Sequence, residues 1–190
     1  MTTTSVIFAR NHANIIGVDQ KLPWDFEEDM KWFKDHTANQ VLIMGRKTFD
    51  SMGSKGLPHR ENIVVSRNLV MDDQLLSDRV DGVAVSLEEA LADAKPYQRK
   101  IFVIGGAGLI KEAIPLVDRI IMTTVGKSID VSKHREVTRL DVKGLEGYYN
   151  EYMNVDGLAF KMVEAKIRSL LDRRTGYKEF VHFTVHERVR

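Results

Sequence analysis

The chain has 190 residues, 43% of them hydrophobic and 29% charged, enough to bury a core and to make one domain over 1–190. Lys and Arg number 28 against 27 for Asp and Glu, a formal balance of +1 that sets up no one-sign field for nucleic acid or an anionic membrane, so any anion must be bound locally. With no cysteine, no signal-peptide core in MTTTSVIFAR and no apolar run near the roughly 20 residues of a membrane span, the chain reads as soluble and cytoplasmic.

Short β-branched or aromatic runs at 5–9, 41–44, 62–66, 82–85, 101–104 and 119–125 predict strands. Helical patterns at 25–37, 47–52, 87–95 and 107–116 fall between them. VLIM and IFVI are apolar at consecutive positions, as in central strands covered on both faces, which favours an α/β fold with a largely parallel sheet flanked by helices. LAFKMVEAKIR and YKEFVHFTVHER, joined by SLLDRRTG, predict a C-terminal antiparallel hairpin. The polar stretch 127–153 shows no clean period and reads as a loop with a short helix over 145–152.

Two strand-to-helix turns suit phosphate. VLIMGRKTF runs through Gly45 into Arg46, Lys47 and Thr48 at a helix start, where unpaired N–H groups and the helix dipole attract anions. The plainer reading is a surface turn. IFVIGGAGLIKEA places Gly105, Gly106 and Gly108 before a helix; Lys111 stands where the G-x-G-x-x-G fingerprint needs its last glycine, so the motif is incomplete. A glycine-rich turn still lets a diphosphate lie against the main chain. Ser66 and Arg67 follow NIVV with a hydroxyl and a fork suited to a phosphate monoester. Three such strand ends together suggest one dinucleotide.

Asp25 and Glu28 have the spacing of a capping box. Counting on from Phe26, the inward stripe is Phe26, Asp29, Met30 and Phe33, so a carboxylate sits among apolar side chains. Burying an unpaired carboxylate is costly and raises its pKa, which favours a partner or a role in proton traffic over simple complementation of the helix dipole. Before it, GVDQKLPWD, with Gly17, Pro23 and Trp24, reads as a lid, although a tryptophan more often packs in a core. The six histidines show no metal-ligand spacing, so no metal is expected, and no nucleophile elbow is present.

In order and spacing, IFARN, NIIGVDQKLPWDFEEDMKWFK, VLIMGRKTFDSM, LPHRENIVVSR, IFVIGGAGLIKEA and IIMTTV resemble the dihydrofolate reductase family over the first two thirds of the chain. Leu-Pro-Trp at 22–24, Asp29, Met-Gly-Arg-Lys-Thr at 44–48 and Ile-Gly-Gly at 104–106 carry most of the likeness. The resemblance implies one α/β domain around a mixed eight-stranded sheet that reduces dihydrofolate with NADPH. It implies that Asp29 pairs with the 2-amino group and ring N–H of the pterin, with Thr123 supporting that end and Trp24 holding a water. Ile7, Met30, Phe33, Met52, Leu57 and Ile104 would form the slot for the substrate rings, and Arg60 would clamp its glutamate carboxylate. Ala9, Ile16, Gly17 and Leu22 would line the nicotinamide pocket. Gly105, Gly106, Ala107, Gly108 and Leu109 would hold the diphosphate, with Gly45, Arg46, Lys47, Thr48, Ser66 and Arg67 around the phosphates; Arg46, Ser66 and Arg67 favour NADPH over NADH.

Two departures stand out. Ile110 replaces the tyrosine most members place near the nicotinamide, and GKSIDVSKHREVTRLD replaces the usual Gly-Asp-Thr and Phe-Pro pattern. The remaining expectations are a small-molecule substrate, no nucleic acid or membrane partner, and a monomer or weak homodimer. The rival readings are a pterin-like or flavin-precursor reductase, which Asp29 opposes, and a non-catalytic dinucleotide-binding or structural module on the same fold.

Overall fold

The computed structural model describes residues 2–68, 79–145 and 151–189. Eleven strands are present among them: β1 (Thr4–Asn11), β2 (Ile15–Val18), β3 (Val41–Gly45), β4 (Glu61–Val65), β5 (Gly82–Ala84), β6 (Ile101–Gly105), β7 (Arg119–Val125), β8 (Val137–Arg139), β9 (Tyr152–Val155), β10 (Leu158–Leu171) and β11 (Lys178–Arg188). Nine form one sheet in the order β5-β4-β3-β6-β1-β7-β11-β10-β9, and β2 and β8 form a separate ribbon. From β5 to β7 every neighbour is parallel; β11, β10 and β9 continue the sheet antiparallel. The ninth strand, one more than the resemblance implies, is β9, a short edge strand that begins in the last two residues of the stretch read as a loop.

Among the described residues the helices are α1 (Glu27–Thr37), α2 (Arg46–Ser51), α3 (Leu87–Ala94) and α4 (Ala107–Ala113). Single 3₁₀ turns at Lys95–Tyr97 and Ile114–Leu116 finish the last two, since Pro96 and Pro115 lack the N–H that an α-helix would use. On one face of the sheet α3 and α4 bury Leu87, Ala90, Ile110 and Ala113 against Phe8, Ile43 and Val103. On the other, Phe49 of α2 packs with Ile7, Leu42, Met44 and Phe102, and Trp32 and Phe33 of α1 close over them.

Several local expectations are corrected. The capping box is not formed: α1 starts at Glu27 behind Phe26 without a side-chain cap, because the Asp25 carboxylate is drawn off to Arg173 at 2.7 Å. The stretch from 127 on contains a 3₁₀ turn at Val131–Lys133 and the strand β8, both too short and polar to show a period. Of the helix expected over 145–152, residues 146–150 lie outside the described residues, and Tyr152 opens β9. The inward stripe of α1 also differs: Asp29 is 6% exposed but Met30 is 40% exposed, because that side of the helix faces a cavity.

Candidate functional site

In a parallel sheet, ligands gather beyond the carboxyl ends of the strands. Here the ends of β1, β3, β6 and β7 bring Ala9, Gly45, Gly105 and Thr123 to the wall of one cavity of about 860 Å³. Ala9 and Thr123 are direct partners across β1 and β7, and Gly105 lies opposite Met44, next to Gly45.

One end of the cavity is apolar and holds an acid. Ile7, Met30, Phe33, Met52 and Ile104 line the cavity with Asp29, as does Trp32, three residues on from Asp29 on the same side of α1. Burial pushes the Asp29 carboxyl up to about 6, against the opposing pull of the Thr123 and Trp24 side chains. Trp24 is 2% exposed and packs with Phe26, Val125 and Phe183, so the core reading of this tryptophan holds. Trp24 also lines a side chamber together with Asp29.

The other end is glycine-lined and cationic. Gly45 and Gly106 cap α2 and α4 without any side-chain hydrogen bond, so the first N–H groups of both helices remain for a ligand. A Cβ on Gly108 would meet nothing within 4 Å, whereas one on Gly105, whose φ is +150°, would come within 2.9 Å of Thr48 Oγ1. Arg46 commits Nε to Asp50 at 2.8 Å, and Lys47 reaches Glu136 at 3.4 Å. Between the two ends Ile16, Gly17, Leu22, Ala107 and Leu109 complete the wall, with Ile110 where the tyrosine would stand. An open glycine cradle flanked by free helix N–H groups and two cations fits the diphosphate of a dinucleotide, and the apolar middle fits its ring.

Five expected residues lie outside this cavity: Trp24, which lines only the side chamber, and Leu57, Arg60, Ser66 and Arg67. Leu57 packs against the core beside Met52, with its N–H held by Asn62 Oδ1 at 2.9 Å. Arg60 stands behind Phe33, its Cζ 6.0 Å from the ring centroid and its Nε and Nη1 bound by Thr37 and Pro58. Ser66 is buried and Arg67 exposed at the end of β4, one strand beyond β3, where the cavity wall stops. In return, the cavity wall includes residues with no earlier assignment: Phe8, Gln20, Lys21, Ser51 and, from β8 and its approach, Glu136, Val137, Thr138 and Arg139. Trp32 was legible from helical spacing; Glu136 to Arg139 were not, because nothing in that polar stretch marks a pairing with β2.

A family model described as dihydrofolate reductase matches residues 3–140. The chain belongs to the dihydrofolate reductase family. Among curated relatives, it is 38% identical to a dihydrofolate reductase of Bacillus subtilis over 130 residues, covering 68% of this chain and 73% of the relative. With the dihydrofolate reductase of Haemophilus influenzae the identity is 35% over 128 residues, covering 67% and 75%. Among solved structures, the dihydrofolate reductase from Enterococcus faecalis complexed with NADP(H) and RAB-propyl aligns with a TM-score of 0.73 at 27% identity, covering 99% of this chain and 97% of that one. The whole-chain match includes the C-terminal hairpin, which the family model does not reach. As a dihydrofolate reductase family member, the chain keeps its acid and its glycine cradle at opposite ends of one cavity.

Proposed function

We propose that this chain reduces 7,8-dihydrofolate to 5,6,7,8-tetrahydrofolate with NADPH. The observation that carries the reading is Asp29, a carboxyl buried with Thr123 at the apolar end of a cavity whose other end is a glycine cradle. NADPH, when bound, supplies the hydride. Asp29 accepts from the parallel N–H groups of the pterin, and a charge-assisted bidentate pair there fixes the ring. With its pKa near 6, Asp29 keeps a protonated fraction close to neutrality and favours a proton on the ring nitrogen beside the carbon that takes the hydride. Met30, Phe33, Met52 and Ile104 exclude water from the ring, with Leu57 behind them. Arg60, oriented by Thr37 and Pro58, answers the substrate carboxylate at the mouth. Arg46 and Lys47 meet the cofactor phosphates, with Ser66 and Arg67 one strand further out.

The same reading takes 1–190 as one domain acting in the cytoplasm as a monomer or weak homodimer, with dihydrofolate as its partner and no nucleic acid. No helix among the described residues is long and apolar enough to cross a membrane. The test is the loss of NADPH absorbance when purified protein meets dihydrofolate, run beside Asp29→Asn. Oxidation by the parent with a steep loss in the variant supports the reductase. NADPH binding without turnover in the parent supports a non-catalytic dinucleotide-binding module instead.

A further inference from the structure

We propose that Met30 is a site of reversible oxidation: hydrogen peroxide, entering the empty cavity, converts its thioether to a sulfoxide that weakens dihydrofolate binding and leaves cofactor binding in place. The inference rests on the reductase reading.

Among the described methionines Met30 alone is exposed, at 40%; Met44, Met122 and Met153 are buried, and Met52 and Met162 are half-buried. Met122 is also engaged, since its sulfur accepts from Arg10 Nε at 3.1 Å. A thioether reacts through a sulfur lone pair, and burial denies an oxidant that approach. Met30 lines both the main cavity and the side chamber of about 350 Å³, so a small oxidant reaches it from either space. The chain has no cysteine, so no thiol of its own intercepts the oxidant first. The most accessible sulfur among the described residues therefore stands in the wall of the substrate end, next to Asp29 in the chain.

The step balances with hydrogen peroxide as the only co-reactant. The Met30 sulfur attacks one oxygen of the peroxide, the S–O bond forms as the O–O bond breaks, and proton transfer releases the other oxygen as water. Sulfur loses two electrons and the peroxide gains them. The product carries a strongly polar S–O group among Ile7, Phe33, Met52 and Ile104, none of which has a side-chain donor. A substrate ring entering there strips water from that oxygen without replacing its hydrogen bonds, which costs binding. The glycine cradle at the other end has no sulfur to oxidise and keeps the uncapped N–H groups of α2 and α4. A bound substrate ring covers Met30. Oxidation therefore falls on the idle enzyme and spares the saturated one, and methionine sulfoxide reductases reverse it.

The experiment treats wild type, Met30→Leu and Met52→Leu with hydrogen peroxide, removes the excess with catalase and maps each methionine by peptide mass spectrometry. The kinetics of every protein are compared with its own untreated sample. Leucine keeps the volume of methionine and has no sulfur to oxidise. Met30 is expected to oxidise at least about fivefold faster than Met52, and saturating folate to slow its oxidation about tenfold. Oxidised wild type is expected to show a KM for dihydrofolate raised about tenfold, with KM for NADPH within about twofold. Met30→Leu is expected to lose this response and Met52→Leu to retain it, and methionine sulfoxide reductases with dithiothreitol to restore the oxidised wild type. An unchanged KM for dihydrofolate at full conversion of Met30 overturns the proposal, as does an equal rise in Met30→Leu. If Met30→Leu does not fold, equal rates of Met30 oxidation in wild type with and without folate overturn it. A wild type inert toward NADPH and dihydrofolate before treatment removes the reductase reading itself.

Discussion

Asp19 and Glu136 exchange two hydrogen bonds across 117 residues of chain: Asp19 N donates to the Glu136 carbonyl at 2.9 Å, and Glu136 N donates to the Asp19 carboxylate at 3.0 Å. Arg135 N and His134 Nδ1 meet the same carboxylate at 3.0 and 2.9 Å, so the segment that replaces the family's usual pattern is still sewn to the β2 side of the cavity. The seam also sets the backbone from which the Glu136 side chain reaches Lys47. A carboxylate there repels an incoming phosphate and occupies its cation. Glu136→Gln is therefore expected to tighten NADPH binding about two- to threefold at low ionic strength, with the gain shrinking in salt. Equal Kd values by fluorescence titration at every salt concentration would show that the carboxylate swings clear.

Asp29→Asn should divide function from stability. Loss of the acid is expected to lower kcat/KM at least about 100-fold. The folded protein holds this proton to about 6, whereas an unfolded aspartate releases it near 3.9, so the native state binds more protons between these values. Its stability contribution is full below the lower value and is lost as pH rises through the upper one. Asparagine carries no such charge. The ligand-free variant is expected to be more stable than wild type by about 1–3 kcal/mol at about pH 8, with the gap closing near pH 4. Urea unfolding at both pH values measures it, and a gap independent of pH would mean that the carboxylate is not what strains the fold.

The same group sets the pH dependence of turnover. At saturating NADPH and dihydrofolate, kcat is expected to level off on the acid side and to fall as pH rises past about 6, with the slope of one proton. A profile flat from about pH 5 to about pH 8 would remove Asp29 from the proton step.

Gly105→Ala tests the close approach of β6 to α2. The new Cβ would lie 2.9 Å from Thr48 Oγ1 on a backbone with φ of +150°, which side chains rarely adopt. The substitution is expected to cost about 1–3 kcal/mol and to weaken NADPH binding. Adding Thr48→Ala removes the clash but not the backbone strain, so recovery should be partial. Full recovery in the double variant would assign the whole cost to Thr48.

The elements that could be read from sequence are those whose burial repeats. The runs VLIM and IFVI are central strands because both faces are covered, and the C-terminal hairpin shows where buried Val181, Phe183 and Val185 alternate along β11. Asp29 was legible because it breaks an apolar stripe. What escaped was decided by distant contacts: Asp25 has the composition of a cap but is claimed by Arg173, 148 residues away, and β2 and β8 are short strands that exist because each pairs with the other. The apolar stripe put Met30 and Phe33 on the inward side of α1, and only the resemblance put them in a ligand slot, since periodicity marks which side of a helix faces inward but not whether that inside is filled.

His186 offers a last test, remote from the cavity. It lies on β11 between Ile120 of β7 and Met162 of β10, almost wholly buried, and its Nδ1 has no partner among the described residues. Burial pulls its pKa down to about 4, against about 6.5 in an unfolded chain. The unfolded state therefore binds the extra proton between these values, and the contribution of neutral His186 is present above about 6.5 and lost as pH falls through about 4. Valine suits a buried strand position and cannot be protonated. His186→Val is expected to lie within about 1 kcal/mol of wild type near pH 7 and to be more stable by about 1–3 kcal/mol near pH 4.5. Urea unfolding at the two pH values gives both numbers. If wild type and variant lose stability in parallel over this range, the acid sensitivity belongs to other groups, and the buried imidazole keeps its proton balance unchanged on folding.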